Sequence, residues 1–253
     1  MDKESKSSKI EQIDSDLEVF RSEVQPIHIA MNPKLLQAAT SGDKIILDKL
    51  LQQEDFSFGA SVGEIAIPVP EDAATQQDAS CLLGVTLGGN TVLHIVASRG
   101  YLELAKEICN KERSLLAATN MRRETPLHCA ARAGNDKMVS LIIEVIHQVL
   151  NDIEARRVLR ATNKNEDNAL HEAAKYDHMH VAEILMEEDA ELASMLNNGG
   201  MSPLYLAIVT GSLNVAKALL RSSSWEKALS PAYYAGPNDE TALHRAIFIS
   251  QGN

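Results

Sequence analysis

Aromatic residues are scarce, at 4% of 253 residues, although 45% of the chain is hydrophobic. A core with so few rings has to be built from Leu, Ile, Val and Ala, which suits thin helical layers that bury their faces only against neighbours. Cysteine is as sparse. Cys81, Cys109 and Cys129 form no C-x-x-C or other metal-binding spacing, and their odd number argues against a disulfide framework. No run of about 18 apolar residues occurs, so the chain itself is not expected to insert into a membrane. The polar, acidic amino terminus has no secretory-type apolar segment. A reducing, cytoplasmic setting is the expectation. Positive charge is also short, with 24 Lys and Arg against 35 Asp and Glu for a net −11. A basic stripe for nucleic-acid phosphates is missing.

Catalytic signatures are missing as well. There is no nucleophile elbow, P-loop or dinucleotide-binding glycine motif. His171-Glu172 lacks the second histidine of a zinc-protease helix. His178-Met179-His180 places its rings in different directions on a helix. No catalytic residue, metal site or cofactor is expected, and the chain does not read as an enzyme.

What the chain does have is one phrase written five times: Thr91-Val92-Leu93-His94, Thr125-Pro126-Leu127-His128, Asn168-Ala169-Leu170-His171, Ser202-Pro203-Leu204-Tyr205 and Thr241-Ala242-Leu243-His244. The repeated leucines are 34, 43, 34 and 39 residues apart. A degenerate copy, Leu35-Leu36-Gln37-Ala38-Ala39, precedes them. Each part of the phrase has a physical reason. The hydroxyl caps a helix, and proline suits the first helical position. Leucine and the following small residues share one helical stripe. Gly42, Gly100, Gly134 and Gly211 end the short helix in left-handed geometry, a place that Asp177 takes in one unit. Apolar-periodic stretches such as Leu102–Ile108, Met138–Ile143, Val181–Leu185 and Val215–Leu220 follow as second helices. Histidines 94, 128, 171 and 244 fall inside the phrase, where they are expected to tie units together through backbone hydrogen bonds rather than to converge on an ion.

A T-P-L-H-x-A phrase at about 33 residues is the ankyrin signature, and the chain resembles that family. The resemblance implies an all-α solenoid of five to six helix-turn-helix units with hairpin-like loops. The expected organisation is a disordered tail over 1–31, a degenerate first repeat over 32–53 and a linker over 54–88. Repeats then run over 89–253, with units starting near 91, 125, 168, 202 and 241 and the last incomplete. Asp152 to Arg160 is read as lengthening the second helix of the long third unit. Tyr205, in place of the phrase histidine, is expected to weaken one tie between units.

The resemblance also implies where contact residues lie, since ankyrin loops and inner-helix ends vary to suit a partner. By motif match these are Met121, Arg122, Glu124, Lys164, Asn165, Asp167, Asn198 and Met201 in the loops. On the inner helices they are Ser98, Arg99, Arg132, Ala133, Lys175, Tyr176, Val209 and Thr210. Arg122, Arg132, Lys175 and Tyr176 are the expected anchors.

The Asn32–Ala39 and Gly89–Ala97 stretches, together with Tyr234–His244 and the long third unit, are similar to the repeat region of plant ankyrin proteins of the accelerated cell death type, which carry a PGG membrane domain. That similarity implies a protein-binding role in defence and cell-death signalling, at the cytoplasmic face of the plasma membrane. The chain is then expected to be a truncated form lacking the membrane domain, with a last unit that frays, whereas full-length relatives are membrane-bound. Two alternatives stay open: a soluble regulator that sequesters its partner, and the targeting arm of an enzyme, such as a palmitoyltransferase, whose catalytic module lies elsewhere. Other proteins are the expected partners.

Overall fold

Thr91, Thr125, Asn168 and Ser202 hold extended backbone and hand the chain directly into a helix. Pro126 and Pro203 occupy the first helical position, where no N–H is needed. Short helices follow because the next five residues are apolar or small on the packed side. Gly100 and Gly211, both at φ 75°, stop them. Asp177 reaches the same left-handed region at φ 58°. Its carboxylate also accepts the backbone N–H groups of Asn214 and Val215, both at 3.0 Å, capping a helix of the following unit. Aspartate there exchanges some backbone strain for a cap that glycine could not provide.

The computed structural model describes residues 29–52, 81–221 and 230–251. Twelve α-helices and no strands occur among them. They are α1 (Pro33–Ser41), α2 (Lys44–Gln52), α3 (Val92–Arg99), α4 (Leu102–Lys111), α5 (Pro126–Arg132), α6 (Asp136–Val149), α7 (Asp152–Leu159), α8 (Ala169–Lys175), α9 (Met179–Glu188), α10 (Pro203–Thr210), α11 (Leu213–Arg221) and α12 (Ala242–Gln251). Helices α1, α3, α5, α8, α10 and α12 form an inner row in which each packs on the next. Helices α2, α4, α6, α9 and α11 form the outer row. The fold is therefore the expected all-α solenoid, built of five helix pairs and a sixth inner helix.

Its core is continuous along the stack. Leu93, Leu127, Leu170 and Leu204 are buried, as are Ala97, Ala131, Ala174 and Ala207. The small alanines let inner helices approach closely, and outer residues such as Ile108, Ile142, Leu185 and Leu219 close the layer behind them. Leu243, the equivalent leucine of α12, is 68% exposed.

Residues 1–28 of the expected tail, the last residue (53) of the expected first repeat and 54–80 of the expected linker lie outside the described residues. The described residues that flank them pair with one another. Met31 donates to the Val85 carbonyl at 2.9 Å and Val85 donates to the Ile29 carbonyl at 2.8 Å, and Leu82 is buried beside them.

The third unit corrects one expectation. Asp152 to Arg160 does not extend the preceding helix. Leu150 is extended, ending α6 at Val149, and the Asn151 side chain caps a new helix by accepting Ile153 and Glu154 N–H at 3.1 and 3.0 Å. An N-cap residue overrides the apolar continuity that suggested a single helix. Arg160, just past the end of α7, grips both carboxylate oxygens of Asp189 at 2.5 and 3.0 Å and fixes the extra helix to the next unit.

Candidate functional site

The loops that join units are built on a recurring asparagine. Asn120, Asn163 and Asn197 each stand five residues ahead of the polar residue that starts an inner helix. Asn120 Oδ1 accepts the N–H of Arg122 and Glu124 at 2.8 and 3.0 Å. Asn163 does the same for Asn165 and Asp167 at 2.8 and 3.1 Å, and Asn197 for Gly199 and Met201 at 3.0 and 3.1 Å. The penultimate loop residue is left-handed: Arg123 and Glu166 at φ 59°, Gly200 at φ 69°. Neighbouring loops are joined by Met121 N–H to Gly88 carbonyl (3.1 Å), Lys164 to Arg122 (2.9 Å) and Asn198 to Asn165 (3.0 Å). The loop tips thus form a ladder whose rungs keep a fixed relation.

Histidines lock each loop onto the preceding unit. His94 Nδ1 accepts the Thr91 backbone N–H at 3.2 Å, so its proton sits on Nε2, which donates to the Glu124 carbonyl at 2.8 Å. His128 does the same between Thr125 and the Asp167 carbonyl (3.1 Å), and His171 between Asn168 and the Met201 carbonyl (3.0 Å). Burial disfavours the charged ring and outweighs the attraction of nearby acceptors, so His94 and His171 are each pushed down to about 4, and His128 is lowered too. The expected tie through backbone hydrogen bonds is present in these three, but not at His244, whose exposed ring bonds only Thr241 of its own unit, accepting its N–H at 3.1 Å, because no further loop among the described residues packs against it.

Tyr205, expected to weaken one tie, makes a tie of a different kind. Its hydroxyl donates to the Glu240 side chain, at Oε2 (2.7 Å), where the histidines bond a backbone carbonyl. The ring lies over Gly236, where a Cβ would stand 2.2 Å from a ring carbon.

Beneath the loop tips runs a chain of charges. Glu124 accepts from Asn120 Nδ2 (2.8 Å), Arg122 Nε (3.1 Å) and a terminal nitrogen of Arg132. Arg132 Nε donates to Glu172 at 2.8 Å, Lys175 Nζ donates to Glu172 at 3.1 Å and to Asp167 at 2.5 Å, and Asn197 Nδ2 donates to Asp167 at 2.9 Å. Burial alone would raise the Glu124 carboxyl, but Arg132, Asn120 and Arg122 together hold it below the usual carboxylate range. Asp167 is lowered in the same way by Lys175 and Asn197 against its burial. The same carboxylates outweigh burial at Arg132 and Lys175 and raise both.

The sequence-selected contact residues fall into three groups by burial. Glu124 and Asp167 are 2% and 1% exposed, and their carboxylates are turned inward to the cations of their own chain. Arg132, Lys175 and Met201 are half-buried, the first two inside the same network. Arg99, Met121, Arg122, Ala133, Lys164, Asn165, Tyr176, Asn198 and Thr210 are exposed, as are Ser98 and Val209. Sequence reasoning did not single out the asparagines, though their fixed offset from each helix start was there to find. It also gave no sign that two loop acids would face inward.

Arg99, Arg122, Arg132 and Ala133 come together around an open concavity of about 360 Å³ between α3 and α5, with Ile95 and Cys129 among its other walls. Burial pushes the Cys129 thiol up to about 12, leaving it unreactive. One unit further on, His178 stacks on Tyr176 and donates to the Arg132 carbonyl at 2.9 Å, linking two of the four expected anchors. Among the described residues no group of three or more His, Cys, Asp or Glu could hold a metal ion, and no helix is long and apolar enough to cross a membrane.

Comparison with known proteins agrees with this architecture. The chain is 32% identical over 142 residues to "Protein ACCELERATED CELL DEATH 6" of Arabidopsis thaliana, a match covering 53% of this chain and 21% of that protein. It is 30% identical over 159 residues to a Caenorhabditis elegans homologue of transient receptor potential cation channel subfamily A member 1, covering 63% of this chain and 12% of the channel. The Drosophila melanogaster channel of that subfamily is 28% identical over 133 residues, with 53% and 10% covered. The matched region is thus about a fifth or less of each relative. The family profile described as "Ankyrin repeats (3 copies)" matches residues 35–156 and 144–229. Phrase, helix pairs, looped ladder and profile agree that the chain belongs to the ankyrin-repeat family.

Proposed function

We propose that the face formed by the loop tips and the inner-helix ends docks another protein, and that the chain is a non-catalytic interaction module. One observation carries this reading. The buried polar groups beneath the face satisfy one another, while Arg99, Met121, Arg122, Lys164 and Tyr176 above them are exposed on a rigid support. Arginine and tyrosine on such a support are the side chains from which binding hot spots are most often made.

The similarity to a protein named for accelerated cell death supports placing the module in plant defence and cell-death signalling. In this reading it acts in the cytoplasm or at the cytoplasmic face of the plasma membrane. A soluble regulator that sequesters its partner is the alternative. Affinity capture from a leaf extract tests the docking surface. Arg122→Ala with Tyr176→Ala should release a captured protein that Lys217→Ala, on the outer helix α11, retains. Retention by the first variant would contradict the assignment of this face. Arg132→Ala is a poor probe, because Arg132 supports buried carboxylates.

A further inference from the structure

We propose that the concavity between α3 and α5 is an anion-binding subsite that receives an acidic side chain, a carboxylate or a phosphorylated group, from the docked partner. The inference rests on the docking reading and specifies the chemistry this face selects.

Three arginines and no carboxylate line the concavity. Their charges are not all spent internally. Arg122, Arg132 and Lys175 face Glu124, Glu172 and Asp167, so that network is balanced, three cations against three anions. Arg99 stands outside it, and its side chain makes neither a hydrogen bond nor an ion pair among the described residues. It is the uncompensated charge of the concavity. Arg122 presents a second resource. It spends Nε and one terminal nitrogen on a single oxygen of Glu124, and its side chain is 67% exposed. A guanidinium has five N–H donors, so further donors of Arg122 are free to meet a ligand.

Geometry and surroundings favour an oxyanion. Paired guanidinium groups suit the planar, two-oxygen edge of a carboxylate or phosphate. Glu124 holds Arg122 in place before any ligand arrives, which lowers the ordering cost of binding. Ile95 and Cys129 in the walls displace water and strengthen the attraction relative to open solvent. The rest of the chain is strongly acidic, at −11 overall, so this local positive region stands out against a field that repels anions elsewhere. Binding should therefore weaken as salt rises.

The test is a titration of the full chain, read by amide resonances, with hexaglutamate peptide and separately with inorganic phosphate. At least one probe should shift the amides of Ser98, Arg99, Arg122 and Ala133 saturably. Arg99→Gln should weaken that binding about tenfold, the loss expected for one charged hydrogen-bonding group. Arg122→Gln should do the same, and Arg113→Gln, on the turn after α4, should not. A stronger response to phosphate would identify a phosphorylated source, and a stronger response to hexaglutamate an acidic side chain. The proposal is overturned if neither probe moves these amides, or if Arg113→Gln weakens binding as much as Arg99→Gln. If the probes fail while Arg122→Ala with Tyr176→Ala still releases the captured protein, the docking face stands and the anion subsite alone is wrong.

Discussion

Arg132 Nε donates to Glu172 Oε2 at 2.8 Å, so a cation on one inner helix neutralises a carboxylate buried on the next. Arg132 also holds Glu124 of its own loop. Removing it strands two buried carboxylates with reduced compensation, a change that typically costs about 3–5 kcal/mol. Urea unfolding of Arg132→Ala should show a loss of that order. A loss under about 1 kcal/mol, the value of an exposed pair, would mean that the network does not hold the units together.

Acid should loosen the stack before it reaches the carboxylates. His94 and His171 sit near 4 in the folded chain, against 6.5 for an ordinary histidine, and His128 is also lowered. Between those values the unfolded chain binds protons that the folded chain refuses, so stability falls as pH falls. Each histidine adds a slope approaching about 1.4 kcal/mol per pH unit. Glu124 and Asp167, whose folded values lie below their ordinary ones, extend the loss at lower pH. Urea midpoints should drop steadily from pH 7 to 5, with a shallower slope in His94→Gln. Constant midpoints across that range would refute the neutral-histidine clamps.

Gly236 and Tyr205 are predicted to be coupled. Gly236 has ordinary backbone geometry at φ −135°, so the objection to a side chain there is the Tyr205 ring, 2.2 Å from a built Cβ. Gly236→Ala should cost about 1–3 kcal/mol through overpacking. In a Tyr205→Ala background the same change should cost far less. Equal costs in both backgrounds would locate the requirement elsewhere.

The stack should be tight in the middle and loose at α12. Leu127 is buried, whereas Leu243, Ile247 and Phe248 are exposed. Leu127→Ala should cost about 2–5 kcal/mol and Leu243→Ala under about 0.5 kcal/mol. Amide exchange across 241–251 should be fast beside that of α5 and α8. Strong protection there would contradict a frayed last helix.

The phrase made the fold legible because it encodes local events: a cap, a proline, a packed leucine, a left-handed stop. Contacts set by neighbouring units were harder to read. Glu124 and Asp167 stand in variable loop positions, and only the approach of Arg132 and Lys175 turns them inward. Tyr205 makes a different tie because Glu240 is within reach, which sequence spacing alone does not reveal. Asn151 broke a helix that apolar periodicity carried through it. The loop asparagines 120, 163 and 197 carry no hydrophobic period, and their role lies in the backbone N–H groups that their side chains accept.

Site-specific photo-crosslinking tests the central claim most directly. A photoreactive residue replacing Tyr176, on the loop-and-inner-helix face, should cross-link to the captured protein. The same residue replacing Lys217, on the outer row, should not. Cross-linking at position 217 with none at 176 would contradict the account.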